Sequence, residues 1–292
     1  FDTELAAVVF DEIHYINDAD RGKIWEESIM LMPEHVQLIM LSATIDQPEK
    51  FASWIETTKN LQQNLNKQVY LANTNHRVVP LKHFCFNSLP QGPLKLIKDK
   101  EFKQFLEKFL DKPIPIKDDK NCFYDTNYVR IKKMKEHCKK ANIYVKPPFV
   151  FNNLVSYLHK NNMLPAIFFV FSRKLVEKYA RMININIIDY DDDYPATIRH
   201  KCNKIIRKLP NHEEYLNLPE YEDIVRLVEK GIAIHHSGIL PIFREMIEIL
   251  FGEGHIKLLF ATETFAVGIN MPTKTVVFNN FEKFNGNHMR LI

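Results

Sequence analysis

Asp11 and Glu12 stand directly after an apolar run that begins at Leu5 and ends at Phe10, and His14 follows two places on. A carboxylate at the mouth of a buried strand can hold Mg²⁺, mostly through water, while its neighbour orients a water for attack on a terminal phosphate. Alone, the four letters DEIH carry little weight. The reading sharpens because a second apolar stretch, Val36 to Thr44, closes on Ser42-Ala43-Thr44. The hydroxyls of Ser42 and Thr44 could hydrogen-bond His14 across neighbouring strand ends. Together the two motifs point to phosphate hydrolysis rather than to a solvated turn.

The second half of the chain offers small and hydroxyl-bearing residues at similar places. Ser237-Gly238 follow the apolar "IAIHH", Thr262 closes "IKLLFAT", and Thr264 follows it. Ser172 and Arg173 follow "AIFFVF". Hydroxyls, backbone N–H groups and a guanidinium are natural partners of phosphate oxygens. Each loop alone is weak evidence, since Ser, Thr and Gly populate turns everywhere. Three of them on one sheet would form a groove for a nucleic-acid backbone.

The elements that must position these residues alternate between short apolar runs and helical patterns, which predicts an α/β fold with parallel sheets. Leu5 to Phe10 and Val36 to Thr44 read as strands covered on both faces, with a helix between them that Pro33 ends. Pro48 to Thr58 reads as a further helix and the polar "QQNLNKQ" after it as a loop. The domain boundary is placed just before His76, giving residues 1–75 and 76–292. From about 87 to 148 the chain becomes lysine-rich and is expected to be an irregular insertion, with Arg130 to Lys140 as a solvated basic helix face. Beyond it, Ala166 to Phe171, "IAIHH", "IKLLFAT" and "KTVVFN" read as buried strands, and Asp189 to Pro195 as an acidic surface loop.

Composition bounds the rest. A length of 292 residues suggests about two domains, and 46% hydrophobic content supports ordinary cores. The net charge of +3 neither demands nor excludes a nucleic-acid partner, because a phosphate-binding groove is a local arrangement. Four separated cysteines with no C-x-x-C pair suit reduced, structural thiols and an intracellular protein. No run reaches membrane-spanning length. A first residue other than methionine suggests a piece of a longer protein.

The segment from Val8 to Ile45 resembles the Walker B and Ser-Ala-Thr region of superfamily-two helicases, in the DExH-box, superkiller-type subfamily that works with the RNA exosome. The segment "GIAIHHSGILPIFREMIEILFGEGHIKLLFATETFAVGINMPTKTVVF" is similar to that subfamily's second motor domain. "HRVVPL" and "FFVFSRK" resemble the approach to that domain and its first nucleic-acid motif. The likeness is weakest from Asn87 to Pro148 and from Asn184 to Pro219.

The resemblance implies two RecA-like parallel-sheet lobes, the first only partly present, that bind ATP and Mg²⁺ in their cleft and a single strand of RNA across both. On that likeness, Asp11 would hold the metal, assisted by Glu12, and Glu12 would be the general base or water-positioner. Ser42 and Thr44 with His14 would couple hydrolysis to unwinding. Ser172, Arg173, His236, Ser237, Gly238, Thr262 and Thr264 would line the RNA backbone, and Gly268 and Asn270 would approach the nucleotide. An ATP-dependent RNA helicase moving 3′ to 5′, in RNA processing or decay with an exosome-like complex and away from membranes, is the expected whole.

A DNA helicase, a spliceosomal relative and a non-hydrolysing RNA-binding scaffold are the alternatives. The sequence departs from the family's pattern in two places. No G-x-x-x-x-G-K-[ST] loop occurs, and the arginine-finger motif that should follow "KFNGNHMRLI" is absent. Lack of such a finger commonly costs about 10³-fold or more, so the 292-residue chain alone is expected to hydrolyse no ATP and its first lobe to be unstable.

Overall fold

A computed structural model describes residues 4–18, 22–42, 45–63, 67–74, 78–90, 92, 95, 97–188, 193–266, 272–284 and 289–291. The chain divides into two compact units, Phe1–Val79 and Pro80–Ile292.

In the first unit, β1 (Ala7–Phe10) and β2 (Gln37–Met40) run parallel, pairing Ala7 with Gln37 and Phe10 with Met40. Between them lie a 3₁₀ turn, Ile13–Asn17, and α1 (Gly22–Leu31). Phe10, Ile13 and Ile29 form the buried centre, with Val8, Leu38 and Met40 packed against it. Both strands are shorter than the apolar runs that contain them, and only one face of each is covered. Val9 on the other face is 57% exposed and Ile39 is 39% exposed, which corrects the expectation of strands covered on both faces. The physical reason is that the described sheet here has two strands and a core on one side only.

Helix α2 (Pro48–Gln63) runs five residues past the expected stop and absorbs part of the expected loop. The extension has a partner, since Lys59 is buried and its Nζ donates to the carbonyls of Met30 at 3.0 Å and Met32 at 2.8 Å. Those acceptors lie at the end of α1, where carbonyls lack helical partners and a cation is favoured. Burial lowers the Lys59 pKa, and the charge of Lys67 adds to that.

The second unit opens with β3 (His83–Phe86) and β4 (Pro113–Lys117), an antiparallel pair. Helices α3 (Lys100–Phe109) and α4 (Asp125–Lys140) accompany it. This lysine-rich segment is ordered rather than irregular. Phe102, Phe105 and Leu106 on one stripe of α3 join Leu89, Ile97, Ile114 and Met134 in a small core of their own. The i, i+3, i+4 spacing was present in the sequence but diluted among lysines. On α4 only Met134 is buried, so the basic stretch is a solvated helix face.

The main sheet has the order β6-β7-β5-β8, all strands parallel. Its strands are β5 (Ala166–Phe169), β6 (Ile232–His235), β7 (Leu258–Ala261) and β8 (Thr275–Phe278). They are joined through α5 (Pro147–Lys160), α6 (Arg173–Arg181), α7 (Tyr194–Ile206), α8 (His212–Leu216), α9 (Pro219–Val228) and α10 (Pro241–Gly252). Phe168 and Phe260 meet at the centre with ring centroids 4.8 Å apart, and Phe151 closes on both. β6 and β7 are buried along their whole length, as parallel strands under helices should be. β8 is the correction: its residues alternate between half-buried and exposed, so one face is uncovered and Val276 and Phe278 are about half exposed, whereas the opposite edge strand β6 is buried throughout.

A short pair, β9 (Glu282–Phe284) with β10 (Met289–Leu291), follows. The expected loop from 189 to 195 falls largely outside the described residues.

Candidate phosphate and nucleic-acid sites

In the first unit, the two parallel strands end side by side, and the chain turns sharply after Phe10. Leu41 N–H donates to the Phe10 carbonyl at 2.9 Å, and Ile13 N–H donates to the Leu41 carbonyl at 2.9 Å. These two bonds carry the ladder past the strands and set the start of the 3₁₀ turn. Ile13, 1% exposed, then anchors the turn in the core. Gly22 fixes its other end, since a Cβ there would stand 2.2 Å from the Ile16 carbonyl oxygen. Glu12 adopts φ 55° and ψ 41°, the left-handed region that a residue with a Cβ occupies at a cost. Asp11 steadies this conformation by accepting the Glu12 N–H on Oδ1 at 2.9 Å.

The result is a cluster of three side chains on one edge. His14 Nδ1 lies 3.2 Å from Glu12 Oε2 and 3.4 Å from Ser42 Oγ, so one ring nitrogen faces a carboxylate and a hydroxyl together. The His14 ring stacks on Tyr15 at 4.7 Å. The structure therefore brings Asp11, Glu12, His14 and Ser42 together, whereas Thr44 lies outside the described residues.

Among the described residues no cluster of three or more His, Cys, Asp or Glu could form a protein cage for a metal. Two exposed carboxylates with solvent access suit Mg²⁺, which keeps several waters and takes one or two carboxylates beside substrate phosphates. The residues present fit that ion.

In the second unit, β6, β7 and β5 are consecutive, so the loops at their C-terminal ends lie side by side. Thr262 N–H donates to the His235 carbonyl at 3.1 Å and Val170 N–H to the Ala261 carbonyl at 2.9 Å, tying the three ends together. Ser172 stands at the N-cap of α6 but does not cap it with its side chain, and Arg173 opens the helix. The Arg173 stem passes 3.5 Å from the point where a Cβ on Gly238 would sit. Arg173, Ser237 and Gly238 are exposed.

His236 is different. It is 4% exposed, its Nδ1 accepts the Gly238 N–H at 3.1 Å, and its Nε2 lies 3.5 Å from Glu177 Oε1. Burial pushes its pKa down, while Glu177 opposes the shift. A neutral, buried imidazole holds the Ser237–Gly238 turn through its Nδ1. Its neighbour His235, also buried, holds Glu248 Oε1 at 2.7 Å and packs edge-on to Phe265 at 4.7 Å. Thr264 falls in the 3₁₀ turn Glu263–Ala266, its side chain outside the described residues, as are Gly268 and Asn270. Sequence reasoning missed Glu177, Glu248 and Gly22. Nothing in their local spacing marks them, because each acts on a residue from another element.

Comparison with known proteins adds the lineage. The family description "DEAD/DEAH box helicase" matches residues 3–51, the stretch that carries Asp11, Glu12, His14 and Ser42. Its likeness to DExH-box helicases extends well past that stretch. It is 38% identical over 291 residues to the exosome RNA helicase MTR4 of Homo sapiens, covering 99% of this chain and 26% of that protein. It is 35% identical over 325 residues to the antiviral helicase SKI2 of Saccharomyces cerevisiae, covering 97% and 24%. It is 36% identical over 290 residues to the DExH-box ATP-dependent RNA helicase DExH9 of Arabidopsis thaliana, covering 98% and 28%. The chain thus spans about a quarter of the length of these relatives.

Proposed function

We propose that the chain is the central motor portion of an ATP-dependent RNA helicase. In this reading residues 1–75 are the latter part of a first RecA-like lobe and residues 76–292 a second lobe, with the lysine-rich stretch as an elaboration of it. The observation that carries the proposal is the strand-end cluster: Glu12 is held in a left-handed turn and linked through His14 to Ser42, just past the end of the next strand.

In this reading Asp11 and Glu12 would hold Mg²⁺, largely through water, and that ion would supply charge neutralisation for the phosphates of ATP. Glu12 orients the attacking water and accepts its proton. His14, Ser42 and Thr44 convey the state of that carboxylate to the RNA side, and Gly268 and Asn270 approach the nucleotide. Ser172, Arg173, Ser237, Gly238, Thr262 and Thr264 contact the RNA backbone, with His236 supporting the turn from inside. Backbone contacts make binding tolerant of sequence and sensitive to salt.

The proposal extends to RNA processing or decay inside the cell with 3′ to 5′ movement, and the name of one relative, the exosome RNA helicase MTR4, supports an exosome-like partner complex. No helix among the described residues is long and apolar enough to cross a membrane. The test is RNA-stimulated ATP hydrolysis and strand displacement by the full-length product beside its Glu12→Gln variant. Loss of about 10²–10⁴-fold in turnover, with RNA binding retained, is expected for removal of a general base. Full activity in the variant would remove Glu12 from the chemistry. Displacement of DNA duplexes alone would favour a DNA helicase.

A further inference from the structure

A groove in the second unit adjoins the RNA-facing loops and shares His236 and Gly238 with the Ser237–Gly238 turn. At its head is a cavity of about 400 Å³ between α6, α9 and the edge strand β6. Three carboxylates, Glu177, Glu220 and Asp223, line it, against one guanidinium, that of Arg181. Arg181 bridges two of them, with NH1 3.3 Å from Glu177 Oε2 and NH2 3.7 Å from Asp223 Oδ2, so the head keeps an excess of negative charge. Its floor is apolar, made by Ile224, Leu227, Ile234 and Ile239.

His236 supplies an independent sign of a missing ligand. Its side chain is 5% exposed and lines the same cavity. Because Nδ1 accepts the Gly238 N–H, the ring proton sits on Nε2. That Nε2 is buried without a close hydrogen bond: its nearest carboxylate oxygen, Glu177 Oε1, is 3.5 Å away, while Arg181 takes Oε2 of the same carboxylate. A buried donor left unmade is costly, so an acceptor from outside would be favoured there.

The groove continues into a second cavity of about 190 Å³ that shares Arg181, Asp223 and Leu227 with the first. Arg226 and Lys230 line this far end, so charge changes sign along the groove. A phosphate backbone is repelled at the head. A basic side chain with an aliphatic stem fits it, the cation among the carboxylates and the stem over the isoleucines. The adjoining main-chain carbonyl would accept from His236 Nε2, and an acidic residue further along would meet Arg226 and Lys230.

We propose that this groove docks an extended segment of a partner protein, with an arginine at its head and a carboxylate toward its tail. Placed behind the Ser237–Gly238 turn, such a segment would bear on the RNA-facing loops through His236 rather than by competing for RNA.

The probe is an acetylated, amidated hexapeptide, Gly-Arg-Leu-Gly-Glu-Gly, titrated at constant pH into protein labelled with ¹³C and ¹⁵N in histidine. Saturable change at the His236 ring is expected, weakened about tenfold when citrulline replaces arginine and about tenfold in the Glu220→Gln/Asp223→Asn protein. If that variant melts early, the citrulline comparison on the unaltered protein decides. Absence of saturation, equal affinity for the citrulline peptide, or the same His236 change produced by an oligouridylate would overturn the proposal, the last by assigning the groove to RNA.

Discussion

β1 and β7 are both four-residue apolar strands in parallel sheets, and they end in opposite environments. Leu258, Leu259, Phe260 and Ala261 of β7 are all 0% exposed, whereas Val9 in β1 is 57% exposed. The difference is in the number of neighbours and layers. β7 has a strand on either side and a helical core around it; among the described residues β1 has one partner strand and a core on one face. An apolar run therefore announces a strand but not how many layers cover it. The pattern also sets where each unit is vulnerable, with the second depending on its core and the first on its turn.

The largest contrast should come from deleting matched apolar side chains in the two sheets. Phe260→Ala should cost about 3–5 kcal/mol in urea unfolding of the second unit, and Ile39→Ala should stay within about 0.5 kcal/mol. Equal losses would mean that Ile39 is covered in solution and would erase the comparison.

Next comes Gly22→Ala, which places a methyl group against a backbone carbonyl that cannot swing aside. A loss of about 1–3 kcal/mol is expected, as for overpacking, with reduced ATP turnover in the full-length protein because the Glu12–His14 turn must shift. An unchanged urea midpoint would show that the turn is not anchored where the structure has it.

Arg173→Ala tests the groove rather than the core. RNA affinity should fall and the slope of log affinity against log salt should drop by about one unit, equally for unrelated RNA sequences. An unchanged slope would remove Arg173 from the phosphate contacts.

The smallest effect concerns pH and the ion pairs that hold α7 to α9. Arg199 donates to both oxygens of Glu222 at 2.7 and 3.0 Å and to Glu229 at 2.8 Å. Arg199, followed by Arg226, holds the Glu222 carboxyl down at about 2. Its contribution is present above the ordinary carboxylate value of 4.5 and is lost as pH falls from there toward about 2. Glu222→Gln should flatten the unit's stability profile across that window. His236, held below 6.5 by burial, acts at higher pH, and stability should decline as pH drops beneath its ordinary value. A melting temperature independent of pH from 7 to 5 would contradict that sign.

Much of the candidate site could be read in the residues themselves. Asp11, Glu12, His14 and Ser42 were recognisable because their positions depend on short-range rules, a strand that ends and a turn that follows. The order along the second unit was equally legible for β5, β6, β7 and α10, whose apolar periodicity is strong. The lysine-rich segment was misread as irregular because three core residues on α3 are outnumbered by charges, and burial depends on spacing rather than count.

What the sequence determined by itself was local: which runs are strands, where helices begin at Pro48 and Pro241, and which polar residues sit at strand ends. Only the three-dimensional arrangement of the described residues shows that Val276 and Phe278 of β8, and Val9 of β1, are about half exposed. It also decided that His236 faces Glu177 from inside the fold, while Ser237 and Gly238 face solvent. The reason is physical. Local geometry follows from neighbours a few residues apart, whereas burial and pairing follow from elements far away in the chain, and no spacing rule connects Glu177 on α6 to a histidine beyond β6.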